Sequence, residues 1–288
     1  MAKTILGLKS AHSDFLDFLK EKGRASATIL AYGSDLQQLI DFCLQLKRSR
    51  VDEITNSDLE AFKNFLKKED YTAKSISRKI NSIKTFFKYL HVQKHISDNP
   101  SIALTHPKYE VKPPRVLSKM EYRALRDVCR NDRRIFAIIE LFLQTGIRIG
   151  ELAYLQLEDI KKNSLIIRAH ESHPSRQIPL NRAAKLSSEN YLSIRPKSKS
   201  KYLFITKSGK PFLIRNIRST LSRYFKLAGI EKVKVNDLRH TFIAHQLRAG
   251  TPLTLVSKIT GHKRLSTTEK YLDLIKKSSV EKFKLEEL

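Results

Sequence analysis

The chain contains no tryptophan, and only two cysteines and two methionines among its 288 residues. Cys43 and Cys129 each lie inside an apolar, helix-like pattern. That excludes a disulfide-stapled scaffold and predicts two reduced, buried thiols. No apolar run approaches the roughly 18 to 20 residues that a membrane span requires. The opening "MAKTILGLKSAHSDF" lacks the apolar centre of an export signal, so a cytoplasmic protein is expected. Phosphate-cradling glycine loops are missing too: "KSGKP" has neither the spacing nor the helix that should follow it. His170 and His173 in "HESH" are not the pair four apart on a helix that zinc hydrolases use, and no cysteine pair supports zinc. Neither a nucleotide cofactor nor a metal is expected. Acidic residues are scarce as well: 29 Asp and Glu face 55 Lys and Arg, a formal net charge of +26. Solubility needs far less. Such an excess attracts a polyanion by neutralising phosphates and releasing counterions, which points to nucleic acid as the partner.

With 41% hydrophobic residues, the chain can bury one large core or two smaller ones, and its organisation favours two. The first hundred or so residues read as helices. In "SATILAYGSDLQQLIDFCLQL", Ile29, Leu36, Leu39, Ile40 and Phe42 fall near one face. In "YTAKSISRKINSIKTFFKYLHVQKHI", Ile76, Ile80, Ile83, Phe87 and Leu90 repeat at fours and threes and form an apolar stripe. Lys74, Arg78 and Lys88 fall opposite it. A solvated face is the ordinary fate of such residues, but few acids interrupt this one, so contact with nucleic-acid phosphates is expected of all three. "SDNPSIALTHPKYEVKPPRVLS", with four prolines, favours extended backbone. The expected division is a helical domain over 1–105, a linker over 106–117 and a second domain over 118–288.

Ser118 with Glu121 reads as a capping box. "IFAIIELFLQTG" reads as a buried helix ended by Gly146. "NSLIIRA" and "RQIPLN" flank "HESHPS" as a hairpin, and "KYLFIT" is expected to add a third strand. The tail "IKKSSVEKFKLEEL" has the periodicity of a short helix that could fold back or dock on a neighbour. The fold class is therefore mainly α with a small antiparallel sheet.

Four residues remain that could share one chemistry: Arg148 in "TGIRIGEL", Arg239 in "NDLRHTFIAHQL", His262 in "TGHKRLSTT" and Tyr271 in "STTEKYL". Each has an ordinary explanation, Arg148 pairing with Glu151 and Arg239 with Asp237 among them. Together they match what phosphoryl transfer without a metal requires. Two guanidiniums hold the non-bridging oxygens, an imidazole bonds one of them, and a phenol is the nucleophile.

These boxes resemble the tyrosine recombinases of the phage-integrase family, closest in layout to the Xer type. "LFLQTGIRIGELAYLQLEDI" is similar to the family's first arginine box, "LRHTFIAHQLRAGTPLTLVSKITGH" to its second arginine box and histidine, and "STTEKYL" to its nucleophile box. "SATILAYGSDLQQLIDF" and "SISRKINSIKTFFKYL" resemble its N-terminal core-binding domain. The resemblance implies a helical, SAM-like core-binding domain followed by a mixed α/β catalytic domain, the two clamping duplex DNA. It also implies strand cleavage by Tyr271 through a 3′-phosphotyrosyl intermediate, with Arg148, Arg239 and His262 stabilising the transition state, in a tetramer on paired DNA sites.

Two positions depart from the family pattern. The hairpin normally carries a lysine that protonates the leaving 5′-oxygen, and the alignment puts Glu171 there, flanked by His170 and His173. A carboxyl with an unperturbed pKa of about 4.3 is a poor acid at neutral pH, whereas an imidazole at about 6.5 donates more readily. Arg168 and Arg176 hold their protons and could only neutralise charge. Where the family has a histidine three residues before the second arginine stands Asn236, which bonds but cannot shuttle a proton. Two readings stay open: an active site-specific DNA recombinase, or a DNA-binding protein of recombinase fold with weak or no strand transfer. An RNA-binding helical protein is a more distant third.

Overall fold

The structure, a computed structural model, describes residues 6–110, 112–170 and 173–274. Glu171 and the tail expected to form a final helix lie outside these residues. The chain divides between Val111 and Lys112 into two compact units.

The first unit contains α1 (Leu8–Glu21), α2 (Ser26–Gln45), a short 3-10 turn at Val51–Glu53, α3 (Asn56–Lys68) and α4 (Ala73–Val92). Thr55 caps α3 and Thr72 caps α4, each accepting from a backbone N–H three residues on. The stripe on α4 packs inward: Ile76, Ile80, Ile83, Phe87 and Leu90 are all buried against α1–α3. α2 adds a buried carboxylate, Asp35, which accepts from Arg78, from Lys79 Nζ at 3.1 Å and from Ser82 Oγ at 2.8 Å. Polar anchors hold the segment after α4 to this unit, with Lys63 Nζ on the Thr105 carbonyl and Ser77 Oγ 3.0 Å from His106 Nδ1.

The second unit begins with α5 (Lys119–Cys129) and α6 (Arg133–Thr145), followed by α7 (Ile149–Tyr154). Ser118 caps α5 in a capping box with Glu121. α6 is apolar on nearly every side and packs among α5, α8 and α10 defined below; its one acid, Glu140, is neutralised by Arg126. Gly146 ends it at φ 62°, and a Cβ there would collide with the Phe242 ring. Left-handed backbone and lack of space both demand glycine. Next come β1 (Ser164–Ile167) and β2 (Arg176–Pro179), antiparallel, with Leu165 opposite Ile178 and Ile167 opposite Arg176. Alternation therefore puts Arg176 on the inward face with Leu165, Ile167 and Ile178. The chain continues through α8 (Arg182–Leu192), α9 (Ile214–Leu227), α10 (Val235–Arg248), α11 (Leu253–Thr260) and α12 (Ser266–Glu269).

The expected third strand is a correction. The sheet has two strands among the described residues, and "KYLFIT" makes only isolated bridges. Leu203, Phe204 and Ile205 are buried as the pattern requires. Their backbone is satisfied locally instead: Leu203 N–H bonds the Leu155 carbonyl at 2.7 Å, and Phe212 N–H bonds the Phe204 carbonyl across the "KSGKP" turn. Both cysteines are free and buried, and burial pushes each thiol up to about 12, which makes them inert packing groups. Among the described residues no helix is long and apolar enough to cross a membrane.

Candidate active site

Helix ends position every member of the predicted quartet. Arg148 stands at the start of α7, two residues after the glycine that ends α6. Arg239 lies one turn into α10, His262 follows the left-handed Gly261 that ends α11, and Tyr271 comes two residues after α12. A helix C-terminus leaves carbonyls without intrahelical partners, and here the guanidiniums take them. Arg239, 4% exposed, donates from Nη1 to the Gly146 carbonyl at 2.5 Å and from Nη2 to the Thr260 carbonyl at 2.7 Å. Arg148 donates from Nη2 to the Gly261 carbonyl at 2.7 Å. The two arginines thus tie the end of α6 to the end of α11.

Glu151 balances the charge. It accepts from Arg148 Nη1 and N–H, both at 2.8 Å, and from both terminal nitrogens of Arg176 at 2.8 and 2.7 Å. Arg176 also reaches the Ile259 carbonyl from Nε at 2.7 Å, and a Cβ on Gly261 would meet its Nη1 at 2.9 Å. Arg176 is therefore the clasp between hairpin and α11, a role that the sequence did not disclose. The ordinary pairing of Arg148 with Glu151 exists; the pairing of Arg239 with Asp237 does not, because Asp237 accepts instead from the Lys234 N–H at the start of α10.

Electrostatics follow from this crowding. Burial, then the charge of Arg148, brings Arg239 down to about 9, still a cation at neutral pH. Burial, then Arg239 and Arg148, pushes His262 down to about 4, so its imidazole is neutral; Nδ1 lies 2.8 Å from Thr268 Oγ1. Burial pushes the Tyr271 phenol up to about 12 against the opposing pull of Arg239. The phenol is 4% exposed and lies 2.5 Å from His240 Nδ1, whose Nε2 is 2.8 Å from the Asn236 amide nitrogen. His240 was missed. Its signal was present: Asn236 and His240 are four apart, which puts them on one face of α10.

The remaining candidates separate. His170 is exposed and stacks on Tyr154, while His170 and His173 exchange backbone hydrogen bonds across the hairpin turn. His173 is half-buried, its Nδ1 has no partner, and burial followed by Arg148 and Lys263 lowers its pKa. It therefore belongs electrostatically to the arginine cluster. Arg168 turns away to Glu158 and Asp159. On the first unit, Lys74, Arg78 and Lys88 are all exposed, but Arg78 is committed to Asp35.

Glu151 sets a pH dependence. Burial alone would raise its carboxyl; the bonds from Arg176 and Arg148 outweigh burial and hold it at about 2, below the ordinary 4.5. A depressed carboxyl contributes stability that is present above its unfolded pKa and lost as pH falls through the folded one. The difference corresponds to about 3 kcal/mol. Glu151→Gln should cost about that much in urea unfolding at pH 7, and the gap from the native chain should narrow as pH falls from about 4.5 towards 2. A gap of constant size across that range would contradict the assignment.

Comparison with known proteins places both units. The phage integrase family profile matches residues 115–278, and that of the phage integrase N-terminal SAM-like domain matches residues 13–94. The tyrosine recombinase XerC of Staphylococcus saprophyticus is 33% identical over 267 residues, covering 89% of this chain and 90% of the relative. Among solved structures, that of XerA recombinase is 27% identical, with a TM-score of 0.55, covering 97% of this chain and 99% of that one. A lambda integrase tetramer bound to a Holliday junction has a TM-score of 0.75 at 19% identity, covering 90% and 78% respectively, and shows likeness of fold. With the catalytic-domain profile spanning more than half its length, and a relative similar over nearly all of it, the chain belongs to the phage integrase family as an Xer-like tyrosine recombinase.

Proposed function

We propose that the chain is a site-specific DNA recombinase that cuts and rejoins strands through a 3′-phosphotyrosyl intermediate. The convergence of Arg148, Arg239 and His262 on the ends of α6 and α11, with the Tyr271 phenol in the field of Arg239, carries this reading. Tyr271 Oη forms a bond to the scissile phosphorus while the P–O5′ bond breaks. The 3′ end stays on the tyrosine, and the freed 5′-hydroxyl later attacks the phosphotyrosine of the partner strand. Bond energy is conserved in the intermediate, so the scheme needs no ATP.

Each Arg239 terminal nitrogen spends one hydrogen on a carbonyl and keeps one for a phosphate oxygen. Pre-aimed guanidiniums in a buried site stabilise the charge that develops on the phosphorane. His262 bonds a second oxygen through Nε2, the nitrogen that Thr268 does not hold. Exchange between two duplexes uses four such sites, and the tetrameric assembly of the lambda integrase structure supports a tetramer here. The reaction belongs in the cytoplasm with its DNA.

The alternative, binding without transfer, draws on two departures: the hairpin from Ser164 to Pro179 contains no lysine, and Asn236 stands where the family has a histidine. On a nicked duplex that traps the intermediate, the native chain should form a covalent protein–DNA adduct and Tyr271→Phe should form none. Binding without any adduct would favour the alternative. For the leaving group we assign the acid to His173, whose Nδ1 has no partner and which lies in the field of Arg148 and Lys263. A bound phosphate's negative charge opposes the effect of those cations and favours the imidazolium. His173→Ala should slow cleavage of the ordinary ester by about 10² to 10⁴, but leave a 5′-bridging phosphorothiolate, whose sulfur departs unprotonated, nearly unaffected. Equal losses on both substrates would remove His173 from that role.

Lys74 and Lys88 support phosphate contact by the first unit, and they test it more cleanly than Arg78, whose removal would also leave Asp35 short of a partner. Lys74→Ala with Lys88→Ala should weaken DNA binding whatever the sequence and lower the slope of log K against log salt by about 1 to 2. An unchanged slope would make both residues ordinary solvated lysines.

A further inference from the structure

Tyr271 is buried and its pKa is raised, so at neutral pH the attacking oxygen carries a proton that must leave during the reaction. The histidine that the family places three residues before the second arginine is Asn236 here and cannot receive it. His240 can. Its Nδ1 is 2.5 Å from Tyr271 Oη, and the rings, 5.7 Å apart and tilted by 45°, meet through that nitrogen and not by stacking.

We propose that His240 is the general base for Tyr271 and that Asn236 is the positioning residue that fixes its tautomer. The proposal rests on the recombinase reading above. Nδ1 accepts a proton only when the ring hydrogen is on Nε2, and Nε2–H needs an acceptor. Asn236 supplies one through Oδ1 when its amide is turned end for end, an exchange that leaves the side-chain outline unchanged. The same division of labour, an asparagine holding a histidine that serves a nucleophile, recurs on unrelated folds.

The step balances. The Oη–P bond forms, the P–O5′ bond breaks, the phenolic proton passes to His240 Nδ1, and the electron pair leaves on O5′, which takes a proton from His173. In rejoining, the 5′-hydroxyl attacks phosphorus and gives its proton back to His173, the P–Oη bond breaks, and the His240 imidazolium returns its proton to Oη. The surroundings suit a base. Burial lowers the His240 pKa, so the ring is unprotonated and ready to accept. Asp237 opposes that shift, Arg239 reinforces it, and His262 after α11 is the other titratable neighbour. Asp237 and Arg239 then act in opposite senses on the imidazolium as it forms.

The test uses the full chain and a duplex that it selects from a random-sequence pool, nicked at successive positions so that cleavage traps the adduct. Adduct rate and duplex affinity are measured against pH for the ordinary ester and for the 5′-bridging phosphorothiolate. His240→Ala and His240→Gln should bind the duplex normally and react about 10² to 10⁴ slower. Glutamine keeps a hydrogen bond to the phenol but cannot take its proton. The deficit should persist on the phosphorothiolate, because sulfur helps the leaving group and not the nucleophile, and added imidazole should restore part of the rate to His240→Ala. Asn236→Asp, which puts a carboxylate on Nε2–H, should move the acidic limb of the pH profile upward. A native rate for either His240 variant, or a deficit that vanishes with the sulfur leaving group, overturns the proposal. A native chain that forms no adduct on any nicked duplex overturns the recombinase reading with it, a result distinct from a native chain and variants that react equally.

Discussion

Two arginine side chains bonded to the carbonyls at the ends of two helices hold the catalytic unit's site together. Arg239 spans Gly146 and Thr260, and Arg148 reaches Gly261. Those carbonyls are available because α6 and α11 both stop at a left-handed glycine, which turns the chain away before another turn can use them. Neither glycine is replaceable at no cost. Gly146 has Phe242 against its α-carbon, and Gly261 has Arg176. The bonds that would preorganise the guanidiniums for a phosphate are therefore the bonds that hold α6, α10 and α11 in register.

Concentrating cations this way has a cost. Two unit charges about 4 Å apart repel by about 4 kcal/mol at an effective dielectric of 20. Glu151 is the counterweight, since it shares its two oxygens between Arg148 and Arg176 and leaves Arg239 to the carbonyls. Burial, and then the same field, drives His262 and His173 towards their neutral forms. A phosphodiester brought into that field would be neutralised and would return basicity to the imidazoles, so substrate and site complete one another. The first unit shows the contrasting use of charge. Asp35 is buried and satisfied by three donors from α4, which turns one residue of the basic face, Arg78, into a structural group while Lys74 and Lys88 remain exposed.

Much of this is legible in the sequence. The α4 stripe, the Ser118 capping box and the end of α6 at Gly146 depend on residues within a turn or two of each other, and local spacing reports them. The third strand was misread because burial and alternation look alike whether a backbone joins a ladder or is satisfied by Leu155 and its own turn. Arg176 was underrated because its partners, Glu151 and Ile259, are distant in sequence. His240 stands beside the more conspicuous Arg239, and its spacing of four from Asn236 is a signal that the sequence does carry.

The sequence by itself determined the helical periodicity, the positive charge and the two-unit organisation, because composition and short-range spacing are properties of the chain, and its resemblance to the integrase boxes singled out Arg148, Arg239, His262 and Tyr271 as candidates. Only the tertiary structure decided which carbonyls hold the arginines, that Glu151 is shared with Arg176, and which imidazole faces the phenol. Those depend on contacts between residues that lie between 21 and 113 positions apart. No local pattern encodes such pairings; packing of α6, α10 and α11 against one core selects them.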